Sequence, residues 1–244
     1  MKELKNLLIL VGDSLIGNED ILSFVPKSGY PYLLMKKLQL KGDVYVMQMG
    51  TGGTAISHNA PSYCGNSWIH QNARNIHAFN NLTTAYQNTY NVKITSNTKI
   101  ATIFQFGTND LMAWSIVKNN FVNDYANELN RFNDGQNFIS LIPNVWDNSG
   151  LQNTVNNKIK EVAQTSDVNL IDHTNINDQK WFSDNYHLNL QGHEIQAQNA
   201  YSVLKPYFFG SATPPIIPPI DNTQKIYELL NEIDILSLEI EELI

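Results

Sequence analysis

The residues best suited to chemistry are a serine near the start of the chain and an Asp-x-x-His motif near its end. Ser14 follows a short apolar segment and a glycine, and Asp184 and His187 form the one Asp-x-x-His pattern in the sequence. A serine hydroxyl becomes a nucleophile when a neighbouring histidine takes its proton, and that histidine needs a carboxylate or carbonyl to hold its other nitrogen. The three residues therefore predict acyl transfer through a serine nucleophile.

Acyl transfer also needs hydrogen-bond donors for the negative oxygen of the tetrahedral intermediate. Two or three donors must lie about 3 Å from that oxygen. The candidates are the backbone N–H of Ser14, a backbone N–H in the glycine-rich segment at Gly52, and the side-chain amide of Asn109. A glycine is favoured at the second position because the backbone there must come close to the ligand.

The elements that must position these residues alternate along the chain. Short apolar segments predict β-strands at 6–11, 44–47, 100–106, 138–142 and 168–171. Helices are predicted between and after them, at 30–40, 67–80, 118–132, 151–165 and 190–205, with Pro206 ending the last. This alternation predicts an α/β fold of three layers, α/β/α, around a five-stranded parallel sheet. Ligands bind beyond the carboxyl ends of such strands, where the candidate residues lie.

Four motifs carry a resemblance to a known family, the SGNH (GDSL) hydrolase superfamily, over about residues 6–205. Three of them are Gly12-Asp13-Ser14-Leu15, Gly107-Thr108-Asn109-Asp110 and Asp184-Asn185-Tyr186-His187-Leu188-Asn189. The fourth, the glycine motif, is looser. Thr54 identifies its glycine as Gly52, with Gly53 as the alternative, and Met47 stands where the family usually has an asparagine.

The resemblance implies a flavodoxin-like SGNH fold and a serine esterase that needs no metal and no cofactor. It implies that Ser14 attacks the ester, that His187 transfers the protons and that Asp184 orients His187. It further implies an oxyanion hole made by the N–H of Ser14, Gly52 and Asn109.

Other polar residues near the motifs have plainer expected roles. Asp13 and Asp110 are expected to bind loop backbone, and His173 and His193 are expected to be structural. The residues His58, Cys64 and His70 match no common zinc spacing and have no acidic neighbour, so no metal site is predicted.

The substrate class is suggested by a short stretch and by the charge distribution. Residues 52–56, followed by Trp68, resemble the glycine motif of carbohydrate O-acetylesterases. Residues 1–220 contain 16 acidic and 15 basic residues, so a nucleic-acid partner is not expected. The 32 asparagines suit a neutral acylated glycan, with AT-rich codon usage as the alternative explanation of their number. Gly53, Trp146 and Trp181 are possible substrate-binding residues, with core packing as the alternative for the tryptophans.

Two other functions stay open at this point. A thioesterase or lysophospholipase would use the same residues on lipid-like esters. A non-catalytic glycan-binding module of a virion or cell surface would keep the scaffold without the reaction. No apolar segment approaches the ~18 residues that a membrane span needs.

The end of the chain differs in composition from the rest. Residues 1–210 are predicted to form the hydrolase domain, 211–222 a proline-rich linker and 223–244 an amphipathic helix. Isoleucine and leucine recur at heptad spacing in that helix, and residues 221–244 contain seven acidic residues and one lysine. We expect residues 224–244 to form a coiled coil that makes a homodimer or homotrimer, with a single helix folded onto the domain as the alternative.

Two features of the sequence bear on the location of the protein. The apolar segment after Lys2 and Lys5 is too short for a signal peptide and is followed by no cleavage site of small residues. A catalytic domain on a stalk with a short coiled coil resembles phage appendages and secreted multimeric esterases. A virion or cytoplasmic location is therefore expected rather than classical secretion.

Overall fold

The structure is a computed structural model, and it describes most of the first 210 residues. The described residues are 1–16, 26–50, 53–57, 59–60, 84, 86–88, 90–132, 135–143 and 150–210. The helix predicted at 67–80 lies outside them, as do the linker and the C-terminal helix at 211–244. The coiled coil and its self-association therefore stay predictions.

A parallel sheet of five strands forms the centre of the described part. In chain order the strands are β1 (Lys2–Glu3), β2 (Asn6–Gly12), β3 (Val44–Gly50), β4 (Val92–Lys93), β5 (Lys99–Gln105), β6 (Gln136–Ser140) and β7 (Asn169–Ile171). The main sheet has the order β3-β2-β5-β6-β7, and β1 pairs with β4 in a separate parallel pair. The five predicted strands are confirmed, whereas the two-residue pair β1–β4 was not predicted.

Helices cover both faces of this sheet, as predicted. They are α1 (Gly29–Gln39), α2 (Thr108–Met112), α3 (Trp114–Val117), α4 (Phe121–Arg131), α5 (Leu151–Thr165) and α6 (Leu190–Phe209). Successive residues of a strand point to opposite faces. In β2, Leu8 and Leu10 belong to a buried cluster with α1 and α6, while Leu7 and Ile9 belong to a second cluster with α4 and α5. The three-layer α/β/α architecture is therefore confirmed.

The last helix does not end before Pro206, as the sequence suggested, but continues to Phe209. A proline inside a helix removes one backbone hydrogen bond. The final turn is stabilised by tertiary contacts instead. Phe208 is buried, and the hydroxyl of Tyr207 donates a hydrogen bond to the carbonyl of Ile100 at 2.6 Å.

The segment after β5 also differs from the prediction of one helix over 118–132. Two short helices, α2 and α3, come first, and α4 begins at Phe121. Gly107 has a φ of +127°, which lets the chain turn into α2 directly at the strand end. No helix among the described residues is long and apolar enough to cross a membrane.

The strand order creates the position for a site. β2 lies between β3 and β5, so the connections that leave β2 and β5 run to opposite sides of the sheet. In open parallel sheets, ligands bind in the crevice at such a reversal point, beyond the carboxyl ends of the strands. Ser14 follows β2 and Asn109 follows β5, so both flank this crevice.

Candidate active site

Ser14 lies in a tight turn at the end of β2. At Gly12 a Cβ atom would come within 2.5 Å of the carbonyl oxygen of Gln105, so only glycine allows this approach. The carboxylate of Asp13 accepts the N–H of Leu15 at 2.9 Å, and the carbonyl of Asp13 accepts the N–H of Ile16 at 3.1 Å. These bonds close the turn and leave the half-buried Ser14 at the sheet edge.

His187 is held by a closed loop before α6. The N–H of Ser183 donates to the carbonyl of His187 at 2.8 Å, and the N–H of Asn189 donates to the carbonyl of Trp181 at 2.9 Å. The side chain of Asn189 caps α6 by accepting the N–H of Gly192 at 3.1 Å. The loop and the helix cap together fix the backbone on both sides of the histidine.

The three predicted catalytic residues lie in one hydrogen-bonded line. The Nε2 atom of His187 is 3.2 Å from the Oγ atom of Ser14, although 173 positions separate them in the chain. On the other side of the ring, Nδ1 is 2.7 Å from an oxygen of Asp184. An ionised carboxylate accepts the Nδ1–H, which leaves Nε2 free to accept the serine proton.

Asp184 is ionised in this arrangement. One of its oxygens accepts the backbone N–H groups of His187 and Tyr186, each at 2.7 Å. These two bonds, followed by the bond to the imidazole, lower the pKa of Asp184 to about 2. Because its side chain is 53% exposed, it needs no buried counter-charge.

Asn109 is brought to the same crevice by α2. Its Nδ2 donates to the carbonyl of Thr54 at 2.9 Å and lies 3.5 Å from the second oxygen of Asp13. An amide nitrogen carries two hydrogens. One is fixed by Thr54, and the other is held only at the limit of hydrogen-bond distance. The second N–H is directed at Asp13, and its donation to an oxyanion stays a prediction.

The glycine segment is described only in part. Gly52 lies outside the described residues, so its predicted place in the oxyanion hole stays a prediction. Gly53 has a φ of +72°, a conformation that favours glycine. The segment that follows is fixed to α2, because Asp110 accepts the N–H groups of Ile56 and Ser57 at 3.0 Å each.

Two buried carboxyl groups therefore support the loops of the site, and the expected backbone-binding role of Asp13 and Asp110 is confirmed. Both are fully buried. Burial raises the pKa of Asp13 to about 7, with a contribution from the charge of Asp110, against the opposing bond from Leu15. Burial likewise raises the pKa of Asp110.

This burial predicts a pH-dependent stability. The unfolded chain ionises Asp13 near pH 3.8, whereas the folded chain keeps it protonated to about pH 7. The unfolded state therefore binds fewer protons in this window, and Asp13 destabilises the fold as the pH rises through it. The variant Asp13→Asn avoids the ionisation. We expect the free energy of unfolding of Asp13→Asn minus that of wild type to be roughly 2–3 kcal/mol larger at pH 8 than at pH 5.

Urea unfolding at several pH values measures this difference. Asp178→Asn is the matched control, because Asp178 is exposed and its ion pair with Lys180 lowers its pKa. The control should show no such increase over the same range. A constant difference between Asp13→Asn and wild type from pH 5 to pH 8 would contradict the prediction.

The two tryptophans that the structure describes lie in different environments. Trp114 is buried and packs edge-on against Phe121, with ring centroids 5.4 Å apart. Trp181 is partly exposed, and the ammonium of Lys180 lies 4.5 Å above its ring. Trp146 and Trp68 lie outside the described residues, as do the histidine and cysteine positions considered for zinc.

A cavity beside Ser14 includes residues that the sequence did not assign to the site. Its volume is about 270 Å³, and its walls include Gly29, Tyr30 and His193. His193 follows His187 by six residues, at the start of α6. That spacing is the only sequence signal that could have associated it with the site. The cavity forms where α1 packs against α6, and no local sequence pattern predicts that packing.

Solved structures of the same fold are known. An acetyl xylan esterase has 17% identity, a TM-score of 0.58, and covers 81% of this chain and 99% of its own. A lipolytic G-D-S-L family protein from Veillonella parvula has 17% identity, a TM-score of 0.56, and covers 82% and 98%. A carbohydrate acetylesterase from Sinorhizobium meliloti has 10% identity, a TM-score of 0.59, and covers 82% and 99%.

Sequence comparison alone finds no counterpart. No protein-family model matches the chain, and a search of curated proteins finds no match either. The structural similarity is nonetheless extensive, since it covers four fifths of the chain at low identity. The resemblance indicated by the motifs is thus confirmed at the level of the fold, and the chain has the fold of the SGNH (GDSL) hydrolases.

Proposed function

We propose that the protein is a serine esterase that removes acetyl or other short acyl groups from a glycan. The observation that carries the proposal is the hydrogen-bonded line from Ser14 through His187 to Asp184, with distances of 3.2 and 2.7 Å. Nucleophile, base and orienting carboxylate have the mutual geometry that this chemistry requires.

The first half of the reaction forms an acyl-enzyme. The Oγ of Ser14 bonds to the carbonyl carbon while its proton passes to Nε2 of His187. The negative charge of Asp184 stabilises the imidazolium, and the N–H of Ser14 with the amide of Asn109 binds the oxyanion. The bond from carbon to the leaving oxygen then breaks, and His187 gives its proton to that oxygen.

The second half releases the acid. A water molecule gives a proton to Nε2 of His187 and attacks the acyl carbon. The bond to Ser14 breaks, and its Oγ takes the proton back from the imidazolium. The products are the free alcohol and the carboxylic acid, which ionises in water, and the protein returns to its initial protonation state.

The substrate class is supported by two independent observations. Two of the compared structures are of an acetyl xylan esterase and a carbohydrate acetylesterase. The first 220 residues are nearly neutral, with 16 acidic and 15 basic residues, so the domain offers little attraction to a polyanion. A neutral acylated sugar suits such a surface.

The acyl-chain preference tests this function against its competitor. We expect kcat/KM on p-nitrophenyl esters to be highest for acetate and to fall at least tenfold by octanoate. A fluorophosphonate reagent, which bonds to activated serines, should abolish the activity with one adduct per chain, found on the peptide that contains Ser14.

Three other outcomes would favour a competing function or contradict the assignment of Ser14. A maximum at octanoate or longer would favour a thioesterase or lysophospholipase over a glycan esterase. Absence of both hydrolysis and labelling would favour the non-catalytic glycan-binding module. An adduct on a serine other than Ser14 would contradict the assignment of the nucleophile.

A further inference from the structure

Among the residues that the structure describes, the cavity beside Ser14 is lined from the side of α1 and of the loop before α6. It has a volume of about 270 Å³ and lies between the first turn of α1 and the loop that precedes α6. Ser14 and His187 line it, together with Ser28, Gly29, Ser183 and His193. Asn109 and Gly53 are not among its lining residues, so the cavity lies apart from the predicted side-chain donor of the oxyanion hole.

The direction of the cavity decides which part of an ester can enter it. In the tetrahedral intermediate the oxyanion points to Asn109. The leaving oxygen must lie within hydrogen-bond reach of Nε2 of His187, since that atom protonates it. The cavity is lined by Ser14 and His187 and continues past the imidazole to His193. The leaving group therefore has a path into the cavity.

We propose that this cavity binds the sugar ring that carries the acyl ester, with His193 as a hydrogen-bond partner of a ring hydroxyl. The inference rests on the proposed function and adds the orientation of the substrate. The leaving sugar lies between α1 and α6, and the acyl group points to the opposite side of Ser14.

The chemistry of the wall fits a sugar. Leu15, Pro31 and Leu188 make part of the wall apolar, although Leu15 and Leu188 are themselves largely buried. Ser28 and Ser183 add hydroxyls, and that of Ser183 also donates to the carbonyl of His187 at 3.1 Å. The volume is slightly below the roughly 300–1,000 Å³ of pockets for drug-sized ligands. A single sugar ring is therefore the appropriate size of occupant.

His193 presents a polar atom at this wall. Its Nε2 would lie 3.5 Å from a Cβ on Gly29, so the ring edge faces the first turn of α1. Burial lowers the pKa of His193, a side-chain hydrogen bond with Gln196 opposes that shift, and the nearby His187 adds to it. A neutral imidazole can accept a hydrogen bond as well as donate one, which suits a hydroxyl.

The start of α1 contributes further donors. The first N–H groups of a helix have no partner within the helix, and the side chain of Ser28 forms no capping bond with them. Gly29 lines the cavity, and the imidazole of His193 packs against it. Replacing Ser28 removes no cap and adds bulk at the cavity rim.

The test compares two acetate esters that give the same acetyl-enzyme. One is methyl xyloside acetylated at one ring hydroxyl, and the other is ethyl acetate, whose alcohol is too small to reach His193. The measured quantity is kcat/KM for the sugar ester divided by kcat/KM for ethyl acetate. We expect His193→Ala to lower this ratio about tenfold, because the variant loses one hydrogen bond to the sugar. His193→Gln should restore part of the ratio, and Ser28→Leu should lower it by obstruction.

Leu190→Ala is the control, because Leu190 is exposed on the same helix and does not line the cavity; its ratio should equal that of wild type. If the ratio is unchanged in both His193→Ala and Ser28→Leu, the inference about the cavity is overturned. Hydrolysis of both esters that depends on Ser14 would still support the proposed esterase activity in that case. A wild-type protein that hydrolyses neither ester overturns both. Ser28 is exposed, so this variant remains informative if His193→Ala does not fold.

Discussion

Ser14→Ala is expected to lower kcat for p-nitrophenyl acetate by about 10⁴- to 10⁶-fold. The change removes the oxygen that bonds to the acyl carbon and leaves the binding groups in place. KM should change little, since the lost interaction belongs to the transition state. Initial rates at saturating substrate measure the effect, and circular dichroism checks that the variant is folded.

His187→Ala should cause a loss of similar size, and the double variant should be no worse than either single one. In the proposed mechanism the two residues act as one unit, because the proton of Ser14 passes to His187 across the 3.2 Å contact. Ser202→Ala, an exposed serine of α6, is the matched control and should keep wild-type activity. Either single variant retaining more than a hundredth of the wild-type kcat would contradict this assignment.

The fold was predictable because its strands are buried on both faces. Segments such as Leu7 to Val11 are apolar without interruption, which distinguishes a central parallel strand from a surface one. Helix ends were less predictable where tertiary contacts override local preference. Pro206 should stop a helix, yet the hydroxyl of Tyr207 and the buried ring of Phe208 hold another turn beyond it.

The catalytic line was predictable because strand order brings distant motifs to one edge. Ser14 and His187 were identified from the motifs that carry the family resemblance, together with the rule that ligands bind beyond the carboxyl ends of parallel strands. The groups that support the catalytic residues were harder to predict from the sequence. Asp13 was expected to bind backbone, but its raised pKa depends on complete burial next to Asp110. The cavity depends on how α1 packs on α6, two helices that begin about 160 residues apart.

The role of Asp184 follows from how its two oxygens are used. One accepts the backbone N–H groups of Tyr186 and His187, and the other accepts the Nδ1–H of the imidazole. The first oxygen shapes the loop, whereas the second selects the tautomer. Since the pKa of Asp184 is about 2, the carboxylate stays ionised above about pH 3, and its protonation does not limit activity near neutral pH.

Asp184→Asn separates these two roles and is expected to lower kcat by about 10³- to 10⁴-fold. The amide oxygen can still accept the two backbone N–H groups, so the loop should keep its shape. The amide nitrogen then donates to Nδ1, which places the imidazole proton on Nε2 and prevents it from accepting the proton of Ser14.

The control for this variant is Asp178→Asn, since Asp178 also accepts a backbone N–H, from Lys180 at 3.1 Å, but contacts no catalytic residue. It should keep full activity on p-nitrophenyl acetate. Equal thermal stability of the two variants would show that the loss in Asp184→Asn is not a loss of folding. If Asp184→Asn instead retained more than a tenth of the wild-type kcat, the carboxylate would not be what selects the histidine tautomer. Orientation of His187 would then depend on the bonds from the backbone and side chain of Ser183 to its carbonyl.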